Sequence, residues 1–496
     1  MEPYVIGIDI GTGSTKACAV ALSGAVLANS QVHYGMLQTK DAFSEQDPEI
    51  IWQAFVKTIQ TIVEKVGAAP SAISLSSCMH SLILIDAAGL PLTPNITWAD
   101  RRSAAIAEAL RNAPEGKIIY TATGTPVHAM SPLCKLRWFR DQEPERFTKI
   151  SKAISIKEYI WHKLFGVYEI DHSLASATGL FDVSQLLWFP LSLHYCGVQA
   201  TQLSTPVATQ FVRNTMHPEM ASFLHLPQEI PVCIGGSDGC LANVGSNALQ
   251  AGTAAVTIGT SGAVRISSQQ PIAVFPEMIF NYRLDEQTFI CGGAVNNGGN
   301  MVQWLSQQFL GNPILNTEAY TNLFNQAEGV PPGSDGLICL PYLYGERTPI
   351  WDEQACGSFF GVRAQHGQAH FIRAGLEGVC FALYGILKKL EASAETIHTL
   401  HISGGMVHSP AWMQLLADST GKKLCLLHTD DASAIGAALM GFKAIGLTNT
   451  YITNGALVEK IIEPNKKNHQ VYLKSYAVFQ ELYRALKPVM HRARTL

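Results

Sequence analysis

Charge is scarce in this sequence. Only 15% of its 496 residues are Asp, Glu, Lys or Arg, and the formal net charge is −4. No run of Lys and Arg interrupts that balance, so nothing gives the chain a field for nucleic acid or an anionic membrane surface. Long apolar runs are also missing: no uncharged apolar stretch reaches the ~18 residues expected of a membrane-spanning helix. The first residues, Met-Glu-Pro-Tyr, lead straight into a strand-like run and lack a signal-peptide pattern. The 11 cysteines include no Cys-x-x-Cys pair, which argues against a zinc or dithiol motif and for reduced, mostly buried thiols in a cytoplasmic protein. Low-complexity segments and long linkers are absent too. The expected partner is therefore a small molecule, with no nucleic acid and no membrane.

What is present suits a compact enzyme. The chain is 47% hydrophobic and carries 41 glycines, enough for a packed core with many tight loops, and its length favours two or more domains. Residues 4–10 read as a short apolar strand. A Gly-rich turn follows at 11–15, then strands at 17–22 and 26–33. This is a β-meander rather than the start of a βαβ unit. Residues 48–66 carry Ile51, Phe55, Ile59, Ile62 and Val63 on one helical stripe, and another helix starts at Pro132. The opening pattern then returns half a chain later: strand 252–258, turn Gly259-Thr260-Ser261-Gly262, strand 263–267. Such a repeat predicts two related α/β domains dividing near residue 245. Hairpins with Gly are also common in unrelated folds. Further on, strand 400–403 leads into Gly404-Gly405. A small-residue helix spans 433–446, and a helical tail occupies 468–493.

Several clusters could carry chemistry. In Asp9-x-Gly11-Thr12-Gly13-Ser14-Thr15-Lys16, glycines let the backbone approach phosphate oxygens, and N–H groups and hydroxyls can bind them. Lys16 can add a charge, and Asp9 could hold Mg²⁺ directly or through water. The order of residues matches neither a Walker A loop nor a dinucleotide fingerprint. Gly259-Thr260-Ser261-Gly262 is a second candidate phosphate cradle, and Gly404-Gly405 could admit a flat base, though taken alone it fits better as a tight strand-to-helix turn. Asp238, in Gly-Gly-Ser-Asp-Gly after an apolar strand, offers the base that phosphoryl transfer requires. It also fits an ordinary turn aspartate. Met79-His80-Ser81, Trp98-Ala-Asp-Arg-Arg and Asn296-Asn297-Gly-Gly supply polar and aromatic groups suited to a polyol; each also fits a structural turn. His398 and His401 lie on a strand three apart and face opposite sides, so they do not share a metal.

The ordered set is specific. It runs Asp9-Ile-Gly-Thr-Gly-Ser-Thr-Lys, Met79-His80, Trp98-x-Asp-x-Arg, Met130 to Gln142, Gly-Ser-Asp238-Gly, Gly259-Thr-Ser-Gly, Gly345-Glu-Arg-x-Pro and Gly404 to Asp418. Over essentially the whole chain it resembles the FGGY family of carbohydrate kinases. That resemblance implies two ribonuclease H-like domains (actin-, hexokinase- and heat-shock-ATPase-like) flanking a deep catalytic cleft. Residues 1–245 would mainly bind sugar. Residues 246–496 would mainly bind ATP and end in the helical tail. It implies ATP and Mg²⁺ as cofactors, Asp238 as general base and Asp9 at the metal. Thr12, Gly13, Ser14 and Lys16 would meet the outer phosphates, with Gly259 and Thr260 meeting them from the other side. Gly299, Gln303, Gly405 and Ser409 would line the nucleotide pocket. Met79, His80, Trp98, His128, Asp238 and Asn297 would hold the sugar. Met79-His80-Ser81, Thr97-Trp98, Thr123 to Met130, Ile156-Lys-Glu-Tyr and Asn296-Asn-Gly-Gly are most similar to the members that phosphorylate D-gluconate at its terminal hydroxyl. The alternative is D-xylulose or another polyol. A sugar acid would need a cationic or dipolar partner for its carboxylate, with His80, His128, Arg101 and Lys157 as candidates. Family habit suggests a homodimer.

Overall fold

A computed structural model describes residues 2–38, 40–311, 317–405, 409–427, 431–451 and 458–494. Met406, Val407 and His408 of the second signature lie outside the described residues. The chain divides into two compact units. The first holds Met1–Asn247, Ser267–Cys291 and Asp431–Gly455; the second holds Ala248–Ile266, Gly292–Asp430 and Ala456–Leu496. Spatially, then, the first unit takes in two later pieces of chain beyond its opening half.

The first unit is built on the meander expected from the sequence. Tyr4–Ile10 pairs antiparallel with Ser14–Ala21, which pairs antiparallel with Val26–His33. On its other side Tyr4–Ile10 pairs parallel with Ala72–Ser77, and that strand pairs parallel with Val232–Ser237. Val5, Ile6, Ile8 and Ile10 are fully buried, so this central strand is apolar on both faces, as parallel-type strands covered on both sides are. Helix Pro48–Val66 covers one face. It starts at Asp47, whose side chain accepts from Glu49 N, and ends at Gly67 in the left-handed region at φ 72°.

The second unit repeats the arrangement. Thr253–Ile258 pairs antiparallel with Gly262–Ser268 and parallel with Thr399–Ser403, which pairs parallel with Lys423–Leu427. In both units, therefore, a hairpin is followed by two parallel strands added on the far side of its first strand. This is the ribonuclease H-like α/β order, and the half-chain repeat in the sequence reflects it. Among the described residues one helix, Gln368–Ser393, is long and apolar enough to cross a membrane. Most of that apolar stretch is packed inside the protein.

In the first unit, glycine lets two helices and a strand meet at backbone distance. A Cβ on Gly436 of helix Ala432–Ala444 would lie 1.9 Å from the Leu241 carbonyl oxygen, and one on Gly245 would lie 1.9 Å from that of Ala432. A Cβ on Gly7 would lie 1.9 Å from the Ala434 oxygen. The small-residue helix read at 433–446 thus packs its backbone directly on helix Asp238–Gly245 and on the central strand.

Candidate active site

The first phosphate-loop candidate is the turn of the opening hairpin. Gly11 N donates to Ser14 O at 3.0 Å, and Tyr34 OH donates to Gly11 O at 2.6 Å. Gln46 Nε2 donates to Thr12 O at 2.6 Å, and Trp98 Nε1 donates to Thr12 Oγ1 at 3.1 Å. Gln31 Nε2 donates to Ser14 Oγ at 2.9 Å. The turn is thus held from three sides while its tip stays open: a Cβ on Gly13 would meet nothing within 4 Å. Lys16 Nζ lies 2.8 Å from Asp431 Oδ1. Asp9 accepts from Ser76 Oγ at 2.7 Å. Burial pushes the Asp9 carboxyl upward, and the nearby Asp431 adds to that push. The Ser76 hydrogen bond and the Lys16 charge pull the other way.

Asp238 follows a strand on the same sheet: Ser237 pairs with Ser77, and Ser77 pairs with Ile10, next to the turn. The expected strand at 231–234 runs on, so that Val232–Ser237 is strand and Asp238 is the first residue of helix Asp238–Gly245. Ser237 caps that helix, its side chain accepting from Cys240 N at 3.3 Å. Asp238 Oδ1 accepts from Gly239 N at 2.7 Å, and Ser433 Oγ donates to Asp238 O at 3.1 Å. Its carboxylate is half-buried at a helix N-terminus, where the helix dipole favours negative charge. The buried thiol of Cys78 links the groups: burial, then the carboxylates of Asp238 and Asp9, push it up to about 12. The base candidate and the metal candidate thus both act electrostatically on one side chain in the first unit.

The sugar candidates of this unit surround the loop after Ala72–Ser77. His80 Nδ1 lies 2.7 Å from the Ala177 carbonyl oxygen, which fixes Nδ1 as the protonated nitrogen. Nε2 lies 3.3 Å from Tyr282 OH. His128 Nδ1 accepts from Met130 N at 3.2 Å. Met79 and Trp98 are half-buried. Lys157 is not at the disposal of a ligand: its Nζ is 2.7 Å from Asp171 Oδ2 and 3.0 Å from Gly236 O, with both side chains almost fully buried. It braces the strand that leads into Asp238. Lys157→Met is expected to cost about 3–5 kcal/mol by stranding the Asp171 charge, read as a lower denaturation midpoint; an unchanged midpoint would refute the role. Arg102 is likewise structural, bonded to Asp100 and Glu45 and 3.8 Å from the Phe43 ring centroid. Arg101 is exposed.

In the second unit the turn Gly259–Ser261 is open at Gly259, where a Cβ would meet nothing within 4 Å. Gly299 N donates to Gly259 O at 2.7 Å, and Asn300 N donates to Thr260 O at 3.1 Å. The start of helix Gly299–Leu310 thus positions this turn, and Gln303 is exposed along it. Gly404, at φ 101°, passes close to the Ile258 carbonyl, while Gly405 faces open space. Ser409 caps helix Pro410–Thr420, accepting from Trp412 N at 3.3 Å. Asn297 is fully buried, with Nδ2 donating to Gly345 O at 2.9 Å and Glu346 Oε2 at 3.2 Å. Burial raises the Glu346 carboxyl to about 7. Asn297 therefore organises the Gly345-Glu346 turn.

Sequence reasoning missed two residues. Tyr282 reaches His80 from the segment Ser267–Cys291, and Asp431 reaches Lys16 from the third piece of the unit. Nothing local marks Tyr282. The pair Asp430-Asp431 before the small-residue helix was the available signal for Asp431.

Two ribonuclease H-like units, each with a hairpin turn open at a glycine, are the architecture of the sugar-kinase class of phosphotransferases. Sequence models confirm the class: "FGGY family of carbohydrate kinases, N-terminal domain" matches residues 4–245, and the C-terminal domain of the same family matches 254–445. The chain belongs to the FGGY family of carbohydrate kinases. It is 37% identical over 496 residues to a gluconokinase of Bacillus licheniformis, covering 98% of this chain and 97% of that one. Two solved structures from Lactobacillus acidophilus, a gluconate kinase and a ligand-bound xylulose kinase, each superpose with a TM-score of 0.93 at 32% identity, covering 98% of both chains.

Proposed function

We propose that this chain transfers the γ-phosphoryl group of ATP to the terminal hydroxyl of D-gluconate, giving 6-phosphogluconate and ADP. The placing of Asp9 and Asp238 at the same end of neighbouring strands carries the reading: Asp9 pairs with Ser76, and Ser237, next to Asp238, pairs with Ser77. It sets a base for the acceptor hydroxyl next to a turn built for phosphate. Asp238 takes the hydroxyl proton as the oxygen attacks phosphorus, and the bond from the γ-phosphorus to the bridging oxygen breaks to release ADP. His80 and Trp98 orient the polyol. In the first unit Thr12, Gly13, Ser14 and Lys16 bind the outer phosphates; in the second unit Gly259 and Thr260 bind phosphate. The first unit acts mainly on the sugar. The second, through Gly299, Gln303, Gly405 and Ser409, acts mainly on the nucleotide.

Three open glycines, at 13, 259 and 405, suit a phosphate chain and a base approaching the backbone. Among the described residues no three His, Cys, Asp or Glu cluster into a metal cage. Asp9 with nucleotide phosphates and water suits Mg²⁺, which holds few protein ligands. When bound, Mg²⁺ offsets the charge on the outer phosphates. All 11 cysteines are unpaired, which supports a reducing, cytoplasmic setting.

Gluconate is preferred over xylulose because Met79-His80-Ser81 departs from the Met-His-Gly typical of xylulose kinases and because of the likeness to a gluconokinase along the whole chain. A coupled ADP-release screen over gluconate, xylulose, ribulose and glycerol tests this. Gluconate is expected to give the highest kcat/KM; a higher value for xylulose would overturn the assignment.

A further inference from the structure

Lys135 lies on helix Pro132–Gln142 and has no exposed surface. Its Nζ donates to three backbone carbonyls: His80 O at 2.7 Å, Thr97 O at 2.8 Å and Ile96 O at 3.4 Å. An ammonium has three N–H donors and no acceptor, so three carbonyl oxygens match it. Burying an amine is costly, and an apolar chain of similar length would fill the same volume. The benefit of a lysine therefore lies in where it holds its acceptors.

Those acceptors sit on two separate loops. His80 is in the left-handed region at φ 66°, which favours glycine. Its ring is tied to Ala177 O and Tyr282 OH, and its carbonyl is tied to Lys135. Thr97 precedes Trp98, whose indole nitrogen donates to Thr12 Oγ1 in the first phosphate turn. One buried side chain thus connects the His80 loop to the Trp98 loop, and through Trp98 to Thr12.

We propose that Lys135 is a positioning residue for the acceptor substrate, clamping the His80 and Trp98 loops at the separation that the polyol spans. The proposal rests on the reading that His80 and Trp98 contact the sugar. The charged and titratable groups facing Nζ are Asp100, Arg102, Cys134 and Cys78. Asp100 is itself committed to Arg102 and to Ser44 N. Burial lowers the Lys135 amine to about 7, with Asp100 pulling it back up.

The test uses the full chain and Lys135→Met and Lys135→Gln, with kcat and KM measured separately for gluconate and ATP. Lys135→Met should lower kcat/KM for gluconate about 10²-fold, the effect of misplacing contacts by about 1 Å, with a much smaller change in the KM for ATP. Lys135→Gln keeps two N–H donors and should fall between wild type and Met. Equal losses for both substrates, or Met and Gln losing activity alike, would show a merely structural role and overturn the proposal. If neither variant folds by circular dichroism, the wild type decides. Its gluconate KM should rise as pH increases from 6 to 9 and the amine loses its proton, while its ATP KM does not follow. A gluconate KM flat over that range overturns the proposal. If wild type releases no ADP with gluconate, the substrate assignment has failed, and the same comparison runs on whichever polyol supports turnover.

Discussion

Asp238→Asn is expected to lower turnover by about 10²–10⁴-fold, the usual contribution of a positioned general base, while the protein still binds ATP. The substitution keeps size and shape. Its carbonyl oxygen can still accept from Gly239 N, as Oδ1 does at 2.7 Å, and Ser237 still caps the helix through Cys240 N. Removing a negative charge from a helix N-terminus costs about 0.3–1 kcal/mol, too little to unfold the unit. What disappears is the ability to accept the hydroxyl proton. Steady-state turnover with saturating gluconate, together with ATP affinity by equilibrium titration, separates the two effects. Near-normal turnover would remove Asp238 from the mechanism.

The other large effect concerns stability. Gly436→Val should unfold or severely weaken the first unit. A Cβ there would lie 1.9 Å from Leu241 O, 2.7 Å from its carbonyl carbon and 3.0 Å from Gly245 N. These are backbone atoms of a neighbouring helix and cannot rotate away as a side chain tip can. The helices must separate, opening the contacts made at Gly245 and Gly7 on the same surface. A loss above about 4 kcal/mol belongs to this class of clash. At about 2–4 °C per kcal/mol for a unit of this size, the melting temperature should fall by roughly 10 °C or more. Activity should fall with it, because Ser433 holds the Asp238 carbonyl from that helix. Gly35→Ala serves as control, since a Cβ at Gly35 meets nothing within 4 Å. Equal melting temperatures for the two variants would show that the close packing does not stabilise the unit.

Much of the site was legible because its pieces are local. Asp9, the Gly11–Gly13 turn and Lys16 sit within eight residues, on a hairpin whose strands announce themselves by apolar runs. Gly-Ser-Asp-Gly reads as a strand end for the same reason, although helix Asp238–Gly245 begins sooner than the two glycines flanking Ser-Asp suggest. Capping by Ser237 and burial of Cys240, Leu241 and Val244 outweigh the low helix propensity of Gly239. The polar clusters were harder to read. Lys157 looked like a cation for a carboxylate substrate, and only its position against Asp171 and Gly236 shows that it is committed.

The sequence by itself determined the two hairpins with their open glycines, the carboxylate after an apolar strand, the half-chain repeat and the family. Each depends on residues close in the chain, where side-chain periodicity and turn chemistry act directly. The tertiary structure alone decided that Ser267–Cys291 and the stretch from Asp431 belong to the first unit. In doing so it brought Tyr282 to His80, Asp431 to Lys16 and Gly436 onto Leu241. Those meetings follow from which buried surfaces fit at backbone distance, and residues nearly 200 or more apart carry no local pattern that reports such a fit.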